Sequence, residues 1–127
     1  MLDVEVIGTA SVPGAEVERL VTIAAASAGI EDGHVAVEFV SSERIRELNR
    51  DHRAKDQPTD VLSFPIDEAG DMGGPGEARE LGDIVISPED TEDLREAVVH
   101  GTLHLVGMDH ETDDGEMLAL QRELLGW

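Results

Sequence analysis

The stretch His100–His110, HGTLHLVGMDH, spends three of the chain's five histidines on the pattern H-x-x-x-H-x-x-G-x-x-H. No other stretch constrains the local fold as tightly. Residues four apart share one face of an α-helix, about one turn of rise apart. His100 and His104 can therefore aim two imidazoles at one ion without distorting the backbone. A third ligand has to come from outside that line. Gly107 supplies the means, because a left-handed glycine ends the helix and lets Met108 and Asp109 bring His110 back. Three neutral nitrogens with one position left to water is the arrangement of a catalytic zinc; a structural site is more often closed by a fourth protein ligand. Helix-end histidines favoured by the dipole account for an i, i+4 pair, but not for a glycine and a third histidine in register. The spacing predicts a metal centre, although imidazole also suits other first-row ions.

Composition narrows the chemistry further. There is no cysteine, so disulfides and thiolate metal sites are excluded and His and carboxylates are the strong ligands available. Aromatics are limited to Phe39, Phe64 and Trp127, too few for a base-stacking platform. Nowhere do roughly 18 apolar residues run together, and MLDVEVIGTA lacks a basic region followed by an apolar run. A soluble cytoplasmic protein with no membrane association is expected. The formal charge of -20 disfavours simple polyanion binding at long range. It reads first as a solubility device, with a saline habitat or a basic protein partner as alternatives.

The 127 residues suit one domain spanning 1–127. DVEVIG at 3–8 alternates as a first strand. Pro13 opens a helix with Val17, Leu20, Val21, Ala24 and Ala28 on one face, stopped by Gly29. Val35, Val37 and Phe39 mark a second strand. Ser41 or Ser42 caps a helix that buries Ile45 and Leu48 and ends near Asn49. An exposed segment leads to Pro58, which prepares an extended run, and VLSF at 61–64 forms a third strand. Residues 67–80 have no periodicity and read as a loop. GDIVIS at 82–87 is a fourth strand, apolar enough to lie inside the sheet. Ser87, Pro88 and Asp90 carry a helix-start signature, and the helix they open holds Leu94, Ala97, Val98, His100 and His104. A last amphipathic helix, about 113–125, runs through Met117, Leu120 and Leu124. The predicted fold class is α+β, an α/β sandwich with a mixed sheet of about four strands, about four helices, and the histidine motif at a helix end.

The motif's spacing is that of the metzincin zinc proteases, H-E-x-x-H-x-x-G-x-x-H, with their general-base glutamate replaced by Gly101. A metzincin-type peptidase is therefore disfavoured. Glycine beside His100 either admits a larger substrate or permits tight packing against the sheet.

HGTLHLVGMDH also resembles the H-G-x-L-H-L-x-G-x-D-H signature of the YbeY family, endoribonucleases of bacterial ribosomal RNA maturation. LNRDHRAKDQPTDVLSFP (48–65) is similar to a second family block, LGDIVIS (81–87) to a third, and Met117–Gln121 to its M-x-x-L-Q pattern. The resemblance implies a zinc-dependent, single-strand-specific endoribonuclease acting in 16S rRNA 3′ end maturation, ribosome biogenesis and ribosome quality control. It implies one zinc per chain on His100, His104 and His110, with His104 and Arg53 as catalytic residues. Arg53 would also bind a substrate phosphate, which suits a planar guanidinium that keeps its charge. Ser63 would contact substrate or hold the strand edge, beside Thr59 and Asp60. Asp83 would stand behind the histidines or pair with an arginine. Asp109, between two ligands, could orient a histidine, accept a proton or cap the turn, the last being the preferred reading. Implied partners are single-stranded RNA and rRNA, the small ribosomal subunit with its basic proteins, and the GTPase Era.

Two features depart from the family pattern. The segment PEDTEDLREAV between Ser87 and the motif is short, and cations for a positive groove are few. Arg44, Arg46, Arg50, Arg53 and Lys55 leave room for one local basic strip. Alternatives are a ribosome-associated assembly factor with a structural metal, or a zinc hydrolase of other substrates.

Overall fold

Strict alternation over β1 (Leu2–Ile7) sends Leu2 and Val4 inward while Asp3 and Glu5 face solvent. The computed structural model describes residues 2–65, 80–106 and 116–126. Residues 66–79, which cover most of the expected loop, lie outside that description, as do Gly107, Met108, Asp109 and His110. After β1 come α1 (Gly14–Ser27), β2 (Gly33–Phe39), α2 (Ser42–Arg53), β3 (Val61–Pro65), β4 (Glu80–Ile86), α3 (Leu94–Leu105) and α4 (Glu116–Leu125).

The sheet order is β1-β2-β4-β3, with β1, β2 and β4 parallel and β3 antiparallel at the edge. β4 is interior, as its apolar run predicts. The main core joins Val35, Val37, Ile84 and Ile86 to Val17, Leu20 and Val21 of α1 and to Val98, Val99 and Leu103 of α3. Each such fully buried aliphatic side chain contributes about 1.5–3 kcal/mol. A smaller cluster on the opposite face packs Ile45 of α2 against Leu62 and Val85. The architecture is the mixed four-stranded sheet with four helices that the sequence predicts.

Gly29, left-handed at φ 82°, stops α1 as expected, while one core position and two boundaries differ from the sequence reading. α1 is capped at Ala28, which is exposed, and Ala25 takes its expected place in the core. α2 runs past Asn49 to Arg53 and stops where Ala54 turns left-handed at φ 58°. Pro58 restricts only the residue before it, so nothing upstream of Gln57 is forced out of helix. The carboxamide of Asn49, instead of ending the helix, donates from Nδ2 to the Gln57 carbonyl at 2.9 Å and folds the following loop back. The Ser87–Pro88 signature opens only a 3-10 turn, Pro88–Asp90. Asp93 is the true cap of α3, accepting from the Arg95 and Glu96 amides at 3.0 and 3.2 Å.

Candidate active site

Ala97, Val98, Val99, Gly101, Thr102, Leu103 and Leu105 are all buried, so α3 is enclosed on most of its circumference. His100 and His104 occupy the remaining side, both half-buried. Their ring centroids are 4.7 Å apart in an edge-to-face arrangement, as one-turn spacing requires. Among the described residues no set of three or more His, Asp or Glu could hold a metal, since the third histidine of the motif lies outside them. The two described donors nevertheless fit the requirement for an imidazole-bound ion: adjacent rings on one rigid helix, turned toward a cleft.

That cleft, about 290 Å³, is lined by Asp60, Val61, Ser63, Pro65, His100 and His104. A second hollow of about 420 Å³ shares Asp60 and His100 with it and is walled by Asp90, Glu92, Asp93 and Glu96. The approach from that side is strongly acidic. A polyanion therefore meets repulsion on that side.

Gly101 is explained by packing. A Cβ built on it would stand 2.7 Å from Ile84 Cγ2 and 3.0 Å from Val61 Cγ2. The glycine lets α3 lie directly on β3 and β4, which decides between the two readings left open by the sequence. Ser63 completes the contact by donating its hydroxyl to the Gly101 carbonyl at 2.7 Å. Ser63 thus lines the cleft with its proton committed to the helix backbone. Thr59 and Asp60 act locally, with the Asp60 carboxylate accepting from the Val61 amide at 2.8 Å and from the Thr59 hydroxyl at 3.3 Å.

Asp83 requires a correction. It is in register with Ala36 and Phe64, while Ile84 pairs with Ser63. Neighbouring strand residues point to opposite faces, so Asp83 projects away from α3 and is exposed. It stands behind neither described histidine and forms no ion pair among the described residues. Asp109 and His110, also singled out in the sequence, lie outside the described residues.

The expected basic strip is largely neutralised. Arg46 meets Asp56 at 2.8 Å, Arg44 meets Glu47 at 3.2 Å and Arg50 meets Asp51 at 3.2 Å. The Arg46 pairing holds the Asp56 carboxyl below its ordinary range and pushes the guanidinium up. Arg53 and Lys55, both exposed, form no ion pair among the described residues. Arg53 ends α2, where the His52 ring meets Phe64 edge-on at 4.9 Å. It does not line the His100 cleft, and no described contact joins it to either histidine.

Two polar side chains near the histidines escaped the sequence reading. Gln121 of α4 is only 4% exposed, and its Oε1 lies 2.9 Å from His100 Nδ1. Its Nε2 donates to Glu96 Oε1 at 3.2 Å. The signal was present in the sequence, because Gln121 follows Met117 by four and so interrupts the apolar stripe of the last helix.

The family model described as Endoribonuclease YbeY matches residues 11–126. The chain belongs to the YbeY family. Its relatives within that family include the Endoribonuclease YbeY of Bacillus cytotoxicus, 42% identical over 87% of this chain and 83% of that protein. The Endoribonuclease YbeY of Geobacillus thermodenitrificans is 45% identical over 85% of this chain and 81% of its own. The solution structure of TM1509 from Thermotoga maritima shares the fold, with a TM-score of 0.54 and 28% identity over 96% of this chain and 86% of that one. Membership of the YbeY family matches the resemblance read from the histidine motif and the 48–65 block. No helix among the described residues is long and apolar enough to cross a membrane.

Proposed function

We propose that this chain is a zinc-dependent endoribonuclease that cuts single-stranded RNA, acting in 16S rRNA 3′ end maturation and ribosome quality control in the cytoplasm. The observation that carries the reading is the His100–His104 pair on α3, facing a cleft in a chain whose relatives are named endoribonucleases. His100, His104 and His110 would hold one ion. When bound, it supplies an acidified water and neutralises charge at the phosphorus.

The chain's own residues do the positioning. The Ser63 bond to Gly101 fixes the height of α3 over β3, and with it the placement of both imidazoles. Arg53, exposed at the end of α2 and outside the cleft lining, offers a guanidinium without an acidic partner among the described residues, suited to hold a phosphate of the strand that leads into the cleft. The carboxylates around Glu92 and Glu96 disfavour the approach of an RNA strand from that side. Asp83 belongs to another surface: with Asp3, Glu5 and Glu38 it makes an exposed acidic sheet face. That face supports a basic protein partner, as the proteins of the small ribosomal subunit are, and with them docking alongside the GTPase Era.

The test is substrate class. Zinc-loaded protein is incubated with a single-stranded RNA, a stable RNA hairpin and a mixed peptide library at low and moderate salt. Cleavage of the single strand, weaker on the hairpin and absent on peptides, is expected. Peptide hydrolysis without RNA cleavage would replace the proposal with a zinc hydrolase of other substrates.

A further inference from the structure

The contact between α4 and the histidine helix has a fixed polarity. Glu96, one turn before His100 on α3, presents a carboxylate that only accepts hydrogen bonds when ionised. The atom of Gln121 that faces it, 3.2 Å from Glu96 Oε1, must therefore be the amide nitrogen. The other end of the same carboxamide is then oxygen, an acceptor, and it lies 2.9 Å from His100 Nδ1. An acceptor there requires Nδ1 to carry the proton. In a neutral imidazole the lone pair then sits on Nε2. Gln121 itself is only 4% exposed, so both bonds are made from a buried carboxamide. The chain Glu96–Gln121–His100 thus converts one carboxylate into one defined histidine tautomer.

We propose that Gln121 is a positioning residue, which fixes the tautomer and ring orientation of His100 so that Nε2 serves as its ligating nitrogen. The proposal rests on the reading of His100 as a metal ligand given above. Histidine ligands characteristically donate their second ring nitrogen to such a partner, and losing the partner costs roughly 10–100-fold in metal affinity. Glu96 acts one step further back, because it prevents the Gln121 amide from turning over. The contact also ties α4 to the site, so the last helix contributes to its geometry although it carries none of the three motif histidines.

The experiment compares the full chain with Gln121→Leu, Glu96→Gln and the double variant Gln121→Glu with Glu96→Gln, each confirmed folded by circular dichroism. Two-bond 1H–15N spectra of metal-stripped protein, at a pH where the ring is neutral, report the His100 tautomer. Competition with a chromophoric chelator reports zinc affinity. The unaltered chain is expected to show a single Nδ1–H tautomer. Gln121→Glu combined with Glu96→Gln keeps an acceptor toward Nδ1 with a donor behind it and retains that tautomer. Gln121→Leu gives a mixture and binds zinc roughly 10–100-fold more weakly, while Glu96→Gln falls between.

An unchanged tautomer and unchanged zinc affinity in folded Gln121→Leu would overturn the proposal. If the unaltered chain binds no zinc yet shows the tautomer lost in Gln121→Leu, the positioning role stands and the metal reading falls. A mixed tautomer in the unaltered chain overturns the positioning role itself.

Discussion

Ser63 and Gly101, 38 residues apart in sequence, meet through a 2.7 Å hydrogen bond that fastens β3 to the middle of α3. The bond is possible because residue 101 has no side chain. Helix height, cleft depth and imidazole placement all follow from this one close approach.

Gly101→Ala is therefore expected to destabilise the protein. Alanine gains about 1 kcal/mol of helix propensity over glycine. Its Cβ, however, would meet Ile84 Cγ2 at 2.7 Å, and Ile84 is fully buried on a central strand and cannot move aside. Overpacking of this kind costs about 1–3 kcal/mol, so the loss outweighs the gain. Urea denaturation checks the sign; an increase in stability would mean that α3 has room to lift.

For Ser63→Ala the expected cost is about 1 kcal/mol, the worth of one neutral, half-buried hydrogen bond. The same denaturation series measures it. A rise in KM beyond what this small loss explains would give Ser63 a substrate contact as well.

A pH effect is expected from the start of β2. His34 Nδ1 lies 2.7 Å from Glu80 Oε1, and that bond, with help from Asp3 and Glu5, raises the imidazole pKa above its ordinary 6.5 against the opposing pull of burial. A raised native pKa means that the stabilisation is complete below 6.5 and is lost as pH climbs through the native value. Stability should therefore rise on acidification across that window more in the unaltered chain than in Glu80→Gln. Thermal melts of both proteins at matched ionic strength give the difference; parallel curves would show that the pair contributes nothing.

Arg53 offers a separation of function from stability. Exposed and with no acidic partner among the described residues, it should tolerate Arg53→Ala within about 0.5 kcal/mol. RNA cleavage should meanwhile fall by about 10-fold or more, chiefly through KM, the worth of one charge-assisted phosphate contact. Arg46→Ala, which breaks a surface pair with Asp56, should lose neither much stability nor activity. Equal cleavage by the Arg53 and Arg46 variants would remove Arg53 from the site.

Most of the fold was legible in the sequence because the core alternates cleanly in the strands and repeats at helical spacing in α1. The ends of α2 and α3 were not, since they depend on what Asn49 and Asp93 bond to, and Pro88 sits in a short turn before α3. That His100 and His104 share one face of α3 was readable from spacing alone. Asp83 was assigned to the wrong face because a strand's alternation fixes that Asp83 opposes Ile84, but not which of them meets α3. Gln121 was missed for a related reason: its partners, His100 and Glu96, are brought to it only by the packing of α4 on α3.

The most direct test of the central claim is cleavage of a single-stranded RNA by metal-stripped protein, before and after stoichiometric zinc, beside His104→Ala. Cleavage that appears with zinc in the unaltered chain and stays at background in His104→Ala is the expected result. Cleavage by metal-stripped His104→Ala as fast as by the zinc-loaded protein would contradict it.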